Sequence, residues 1–213
     1  MSGIDLKTAP HLLLTPRLRL EVPRSDHAEA FADGVAASMP ALGFVRWGLK
    51  PRDVAWARAF CEDDARCVAA GEDLDFHVFE IADGGWVGRI DVHTIDFKAA
   101  RGEVGYVGDV RRAGRGLMRE AVLAVIELCF RLGFQRIEAM SDARNTRALH
   151  FATTLGMQYE GLLRRHERDV HGQFCDMALY AALNPDFRAG AESPVPAALQ
   201  AAPQTPPAPE PRA

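Results

Sequence analysis

Cysteine is sparse and unpatterned in this 213-residue sequence: Cys61, Cys67, Cys129 and Cys175 form no C-x-x-C spacing. That excludes zinc-ribbon and thioredoxin-like motifs and leaves reduced, mostly buried thiols, with no metal expected. No continuous apolar run is long enough to span a membrane. Met1 to Pro10 carries Asp5 and Lys7 with no apolar segment between them, unlike a secretory leader. A basic stripe is missing too: 25 Lys and Arg stand against 29 Asp and Glu, a formal net charge of −4. A general binder of nucleic acid or membrane surface is thereby disfavoured, and the reduced cysteines lead to the expectation of a cytoplasmic protein.

The length suits one domain with a core of its own. From Pro185 onward the composition turns to alanine, proline and glutamine, which cannot bury enough apolar surface to offset ordering entropy. The expected organisation is a flexible start over 1–11, one domain over 12–184 and a disordered Pro/Ala-rich tail over 185–213. Within the domain, Leu18 to Val22 alternates as a strand, and Ser25 is placed to cap a helix running to about Ala37. A second helix fits Arg52 to Ala70. Phe76 to Ile81 and Trp86 to Asp96 flank Asp83-Gly84-Gly85 as a hairpin, with Gly102 to Val110 as the next strand. Leu117, Ala121, Ala124, Val125, Leu128 and Leu132 recur at helical spacing, and Gly133 ends that helix. A strand at Ile137 to Met140, a helix from Asn145 to Leu155 and a hairpin of Tyr159 to Arg168 with Phe174 to Leu183 complete the order. The pattern β-α-α-β-β-β-α-β-α-β-β predicts an α/β mixed sheet with helices on its faces.

The join between strand and helix at Arg111-Arg112-Ala113-Gly114-Arg115-Gly116 carries the strongest local chemistry. Gly114 and Gly116 permit positive φ and close approach of a ligand, and the free N–H groups of the following helical turn converge on one point. Arg111, Arg112 and Arg115 are expected to add positive charge there. No Lys-Ser or Lys-Thr follows the second glycine, so this is not a Walker loop, and the spacing of a dinucleotide fingerprint is absent.

T-P-R-L-R-L at Thr15 to Leu20, E-V-G-Y at Glu103 to Tyr106 and D-V-R-R-A-G-R-G at Asp109 to Gly116 occur in order. D-A-R-N-T-R-A at Asp142 to Ala148 follows, then L-G-M-Q-Y-E-G at Leu155 to Gly161, Leu163-Arg164, and D-x-x-x-Y from Asp176 to Tyr180. Taken together, from about Leu14 to Leu183, the chain resembles the GNAT superfamily of N-acetyltransferases, and within it the RimJ/RimL ribosomal-protein type. The resemblance implies a mostly antiparallel sheet of about seven strands and about four helices, splayed at the cofactor strand to admit the pantetheine arm of acetyl-CoA. It implies that Val107, Gly108, Asp109, Val110, Arg111, Arg112, Ala113, Gly114, Arg115, Gly116 and Leu117 hold the cofactor, with Asn145 near its thiol end. Many relatives pair into homodimers, although no apolar stripe here demands it.

The implied activity is transfer of acetyl to a primary amine, foremost a protein N-terminus. A terminal amine near pKa 7.7 to 8.0 costs under about 1 kcal/mol to deprotonate at about pH 7.4, and a lysine near 10.4 roughly 4. Glu167 and Glu103 match acidic positions of the family and are the candidate bases. Arg46, Trp47, His93 and Arg164 are candidates for contact with the acceptor. Ala148 departs from the pattern, since a serine that protonates the departing thiolate usually stands there. Acetylation of a small amine (a polyamine, an antibiotic or an amino-acid-like metabolite) and a non-catalytic acyl-CoA-binding module remain open as alternatives.

Overall fold

The computed structural model of the chain describes residues 4–45 and 52–186. Its strands are β1 (Leu12–Leu14), β2 (Leu18–Glu21), β3 (Leu74–Glu80), β4 (Trp86–Asp96), β5 (Arg101–Gly108), β6 (Arg136–Asp142), β7 (Gln158–Arg168) and β8 (Phe174–Leu183). Among the described residues the α-helices are α1 (Ala28–Ser38), α2 (Val54–Ala70), α3 (Leu117–Arg131) and α4 (Thr146–Thr154). The strands form one sheet in the order β1-β2-β3-β4-β5-β6-β8-β7. Every neighbouring pair is antiparallel except β5 and β6.

Alternation along the strands separates two cores. Phe76, Val78, Ile90, Val92, Val104, Ile137 and Ala139 face α3 and α4, joining Leu117, Ala121, Val125, Leu149 and Ala152. Phe79 and Trp86 instead pack with Phe31, Val35, Ala57 and Cys61 from α1 and α2. Each fully buried Leu, Val or Phe contributes about 1.5 to 3 kcal/mol, so both helix pairs are fixed by these apolar faces. All four cysteines are free, and three are buried.

Two local readings are corrected. β1 is an additional strand: Leu12 to Leu14 is uniformly apolar and shows no alternation, yet it pairs with β2 through Leu13 and Leu20. In the described part of the N-terminal segment, Leu6 and Ala9 enter the core and the Asp5 carboxylate accepts the Lys7 N–H. Ser25 does not cap α1. A short 3-10 turn, Ser25–His27, precedes that helix, and the Arg24 N–H donates to His27 Nδ1 at 3.3 Å. Asp53 caps α2 by accepting the Trp56 N–H at 2.7 Å.

The feature that matters for function is where the sheet opens. β5 and β6 are paired only at Arg101 with Arg136, Gly102 with Ile137 and Glu103 with Glu138. Beyond those pairs, β5 continues to Gly108 and β6 to Asp142 without pairing to one another. No helix among the described residues is long and apolar enough to cross a membrane.

Candidate active site

The opening between β5 and β6 is a cleft of about 720 Å³. Its walls include Glu103 to Val107 on β5, Ala139 to Asp142 on β6, and Asn145, Ala148 and Leu149 at the start of α4. The polar lining also includes Arg89, Asp91 and His93 on β4 and His166, Glu167 and Arg168 on β7. The parallel ladder breaks at Glu103, so the β5 edge facing β6 offers backbone donors and acceptors that a ligand can use, as an open strand edge does.

At one end of the cleft β5 runs into the loop. Asp109 is buried and accepts the Arg111 N–H at 2.9 Å, which sets a 3-10 turn over Val110–Arg112. Gly114 and Gly116 follow with φ of 77° and 73°. Gly116 is the N-cap of α3, and no side chain caps that helix. The first-turn N–H groups are therefore left for an outside acceptor, and a helix start of this kind favours an anion.

The loop arginines differ from expectation. Arg111 is paired with Asp109 and Asp33, Arg112 with Glu80 and Asp83, and Arg115 with Glu80. Glu80 and Asp33 are remote in sequence, so the fold supplies carboxylates that the loop motif does not reveal. The arginines brace the loop through these carboxylates, while the first-turn peptide N–H groups of α3 have no side-chain partner. Leu117 likewise turns its side chain into the core and has only its backbone to offer. Arg17 is a basic residue that motif reading missed: its Nη1 donates to the Arg115 carbonyl at 3.0 Å while its Nε pairs with Glu120.

Glu103 and His93 are direct neighbours across β4 and β5. Burial raises the Glu103 pKa above the usual glutamate range, with His93 opposing and Glu138 and Asp91 adding to the rise. His93 Nε2 lies 3.4 Å from Asp91, and its Nδ1 lies 2.7 Å from the Thr94 hydroxyl. Asp91 belongs with Asp64 and Asp75 to a carboxylate group around the Arg89 guanidinium. Burial pushes the Asp75 carboxyl up to about 8, with Arg89 opposing. This cluster was not visible in the sequence, because its members converge only through strand register and the packing of α2.

Asn145 stands at the start of α4 beside the cleft. Its Oδ1 caps α4 by accepting the Ala148 N–H at 3.2 Å, and the residue also lines the cleft. Ala148 presents only a methyl group there. Tyr106 lines the cleft as well, its ring 4.9 Å from that of Phe151 and its phenol pushed up to about 12 by burial. Glu167 reaches the cleft wall, whereas Arg164 is exposed in an irregular stretch of β7 and is not among the lining residues. Arg46 and Trp47 lie outside the described residues.

Residues 17–158, well over half of the chain, match the family described as acetyltransferase (GNAT) domain. YjcK of Bacillus subtilis (strain 168), a probable N-acetyltransferase, is 31% identical over 117 residues, which cover 54% of this chain and 64% of that protein. The chain spans less than two thirds of the length of the curated relatives it matches. Among solved structures, the Microcin C7 self-immunity acetyltransferase MccE in complex with acetyl-CoA and AMP superposes with a TM-score of 0.75. Its identity is 17%, over 84% of this chain and 99% of the other. Mycobacterium smegmatis RimJ in complex with CoA-disulfide gives a TM-score of 0.73 at 22% identity, over 83% and 88% of the two chains. At these identities the likeness is one of fold.

Proposed function

Because the chain belongs to the acetyltransferase (GNAT) domain family, we propose that it moves the acetyl group of acetyl-CoA to a primary amine, foremost the α-amino group of a protein N-terminus. The observation that carries this reading is the parallel β5–β6 ladder, which stops at Glu103 and Glu138 and opens toward the uncapped start of α3. A slot with a free strand edge at one end and converging helix N–H groups at the other fits an extended arm ending in a diphosphate.

The residues present fit that ligand. Gly114 has open space beyond its Cα and Gly116 only the Arg17 guanidinium, 3.7 Å from an added Cβ, so phosphate oxygens can approach the peptide nitrogens of residues 114–118. Asn145 and the Tyr106 to Gly108 backbone serve the arm. Acetyl-CoA, when bound, supplies the activated acyl carbon and a thiolate leaving group. A β5 backbone N–H polarises the carbonyl, and such fixed donors are the largest electrostatic aid to acyl transfer. The amine nitrogen bonds to the acyl carbon as the carbon–sulfur bond breaks. Glu103 accepts the amine proton, directly or through water, and its raised pKa suits it to that task near neutral pH. Glu167, across the opening, attracts the ammonium form and is a second acceptor. Ala148 has no proton to give, so the thiolate takes one from water.

A second reading follows from Asp91, Glu103 and Glu167 around one cleft: a small cationic amine as acceptor. Mass spectrometry after incubation with labelled acetyl-CoA separates the two. Peptides with free termini gaining one labelled acetyl group support the first reading, and labelled small amines alone support the second. Label on neither, with coenzyme A still bound, would leave a binding module and contradict both.

A further inference from the structure

We infer that Asp176 is the positioning residue that sets Glu167 at the cleft, by holding a bulge in β7. The inference rests on the reading above in which Glu167 acts on the acceptor amine. Across β7 and β8, Leu163 stands opposite Met177 and Glu167 opposite Cys175. Residues 164–166 therefore face Asp176 alone, two residues more than a regular ladder would hold. Without that bulge, Arg165 would stand opposite Cys175.

Residues opposite one another in an antiparallel pair share a face of the sheet. Cys175 and Met177 both line the cleft. The extra residues thus set Glu167, in place of Arg165, opposite Cys175 at that wall. Bulges are a recurrent means of re-aiming a side chain beside a functional site.

The exchange has a conformational cost and a visible brace. Arg165 has φ of 51°, in the left-handed region that non-glycine residues seldom adopt. Its N–H donates instead to the Asp176 carboxylate, Oδ1, at 2.7 Å. The side chain of the single residue facing the bulge replaces the missing backbone acceptor. Beyond it the ladder resumes, with Cys175 Sγ 3.6 Å from the Glu167 carbonyl. Asp176 opens the D-x-x-x-Y motif, and this contact gives that aspartate a physical task.

The test uses the full chain, with amide hydrogen exchange across 164–167 and thiol release from acetyl-CoA in the presence of the peptide and amine panel. Asp176→Ala is expected to speed exchange by about tenfold and lower kcat by about tenfold, with KM for acetyl-CoA changed less than about twofold. Asp176→Asn keeps an acceptor oxygen and should stay close to the parent in all three quantities. Adding Arg165→Gly to Asp176→Ala should restore most of the loss, because glycine takes positive φ without strain. Unchanged exchange in Asp176→Ala, or no recovery on adding Arg165→Gly, overturns the inference. Undiminished turnover in Glu167→Gln, with exchange responding as described, would remove Glu167 from the chemistry and leave the hold of Asp176 on the bulge intact.

Discussion

Asn145 has two tasks that chemistry can separate, since the cap on α4 uses only its side-chain oxygen. Asn145→Asp keeps an acceptor for the Ala148 N–H but loses the amide donor. Its melting temperature should match the parent while coenzyme A binding weakens several-fold, as read by calorimetry. Asn145→Ala should lose both, with about 1 kcal/mol of stability gone for the missing cap. Equal stability loss in both variants would contradict the division. Glu103 makes a pH prediction: a proton acceptor works only when ionised, so kcat falls as pH drops through its folded-state pKa. Burial has raised that value, so the acid limb should lie above the ordinary glutamate range, and Glu103→Gln should abolish it. An identical acid limb in the variant would assign the base elsewhere.

α3 is the element on which ligand binding turns, because its first turn has no side-chain cap and its N-cap holds φ of 73°. Gly116→Ala places a Cβ in the left-handed region at a cost of about 1 to 2 kcal/mol. Titration with coenzyme A should show at least a several-fold weaker Kd. An unaltered Kd would mean that the turn is not part of the grip. This element was legible in the sequence because its evidence is local: apolar residues at helical spacing, a glycine at each end, and arginines between glycines. The hairpin of β3 and β4 was legible for the same reason. β1 was not, since Leu12 to Leu14 has no alternation and is a strand only because β2 offers an edge. The Glu80 pairing with Arg112 and Arg115 joins residues 32 and 35 positions apart, and the β7 bulge is a property of register. Neither leaves a mark on short-range pattern.

The whole molecule is a sheet between two helix pairs, and the pair formed by α1 and α2 covers ionisable groups as well as apolar ones. His77 is fully buried, stacked 5.3 Å from His27, and neither of its ring nitrogens has a partner among the described residues. Burial holds its pKa well below the usual histidine value, with His27 and Arg89 adding to the effect. Above about pH 6.5 the ring is neutral in both folded and unfolded chains and stability does not depend on it. Below that value only the unfolded chain takes up the proton, so the parent should lose stability relative to His77→Phe by about 1.4 kcal/mol per pH unit until the folded pKa is reached. Urea unfolding of both proteins across the acid range checks this, and parallel profiles would refute it.

The same architecture leaves one gap in the sheet, bounded by Glu103, Glu138 and the start of α3, and the proposed chemistry depends on what enters it. The most direct measurement is a crystal structure with coenzyme A bound. The account predicts the pantetheine arm between β5 and β6, its diphosphate on the amides of residues 114–118 and its thiol end at Asn145 and Ala148. An arm lying outside the β5–β6 opening, or a diphosphate held away from the α3 N-terminus, would contradict it.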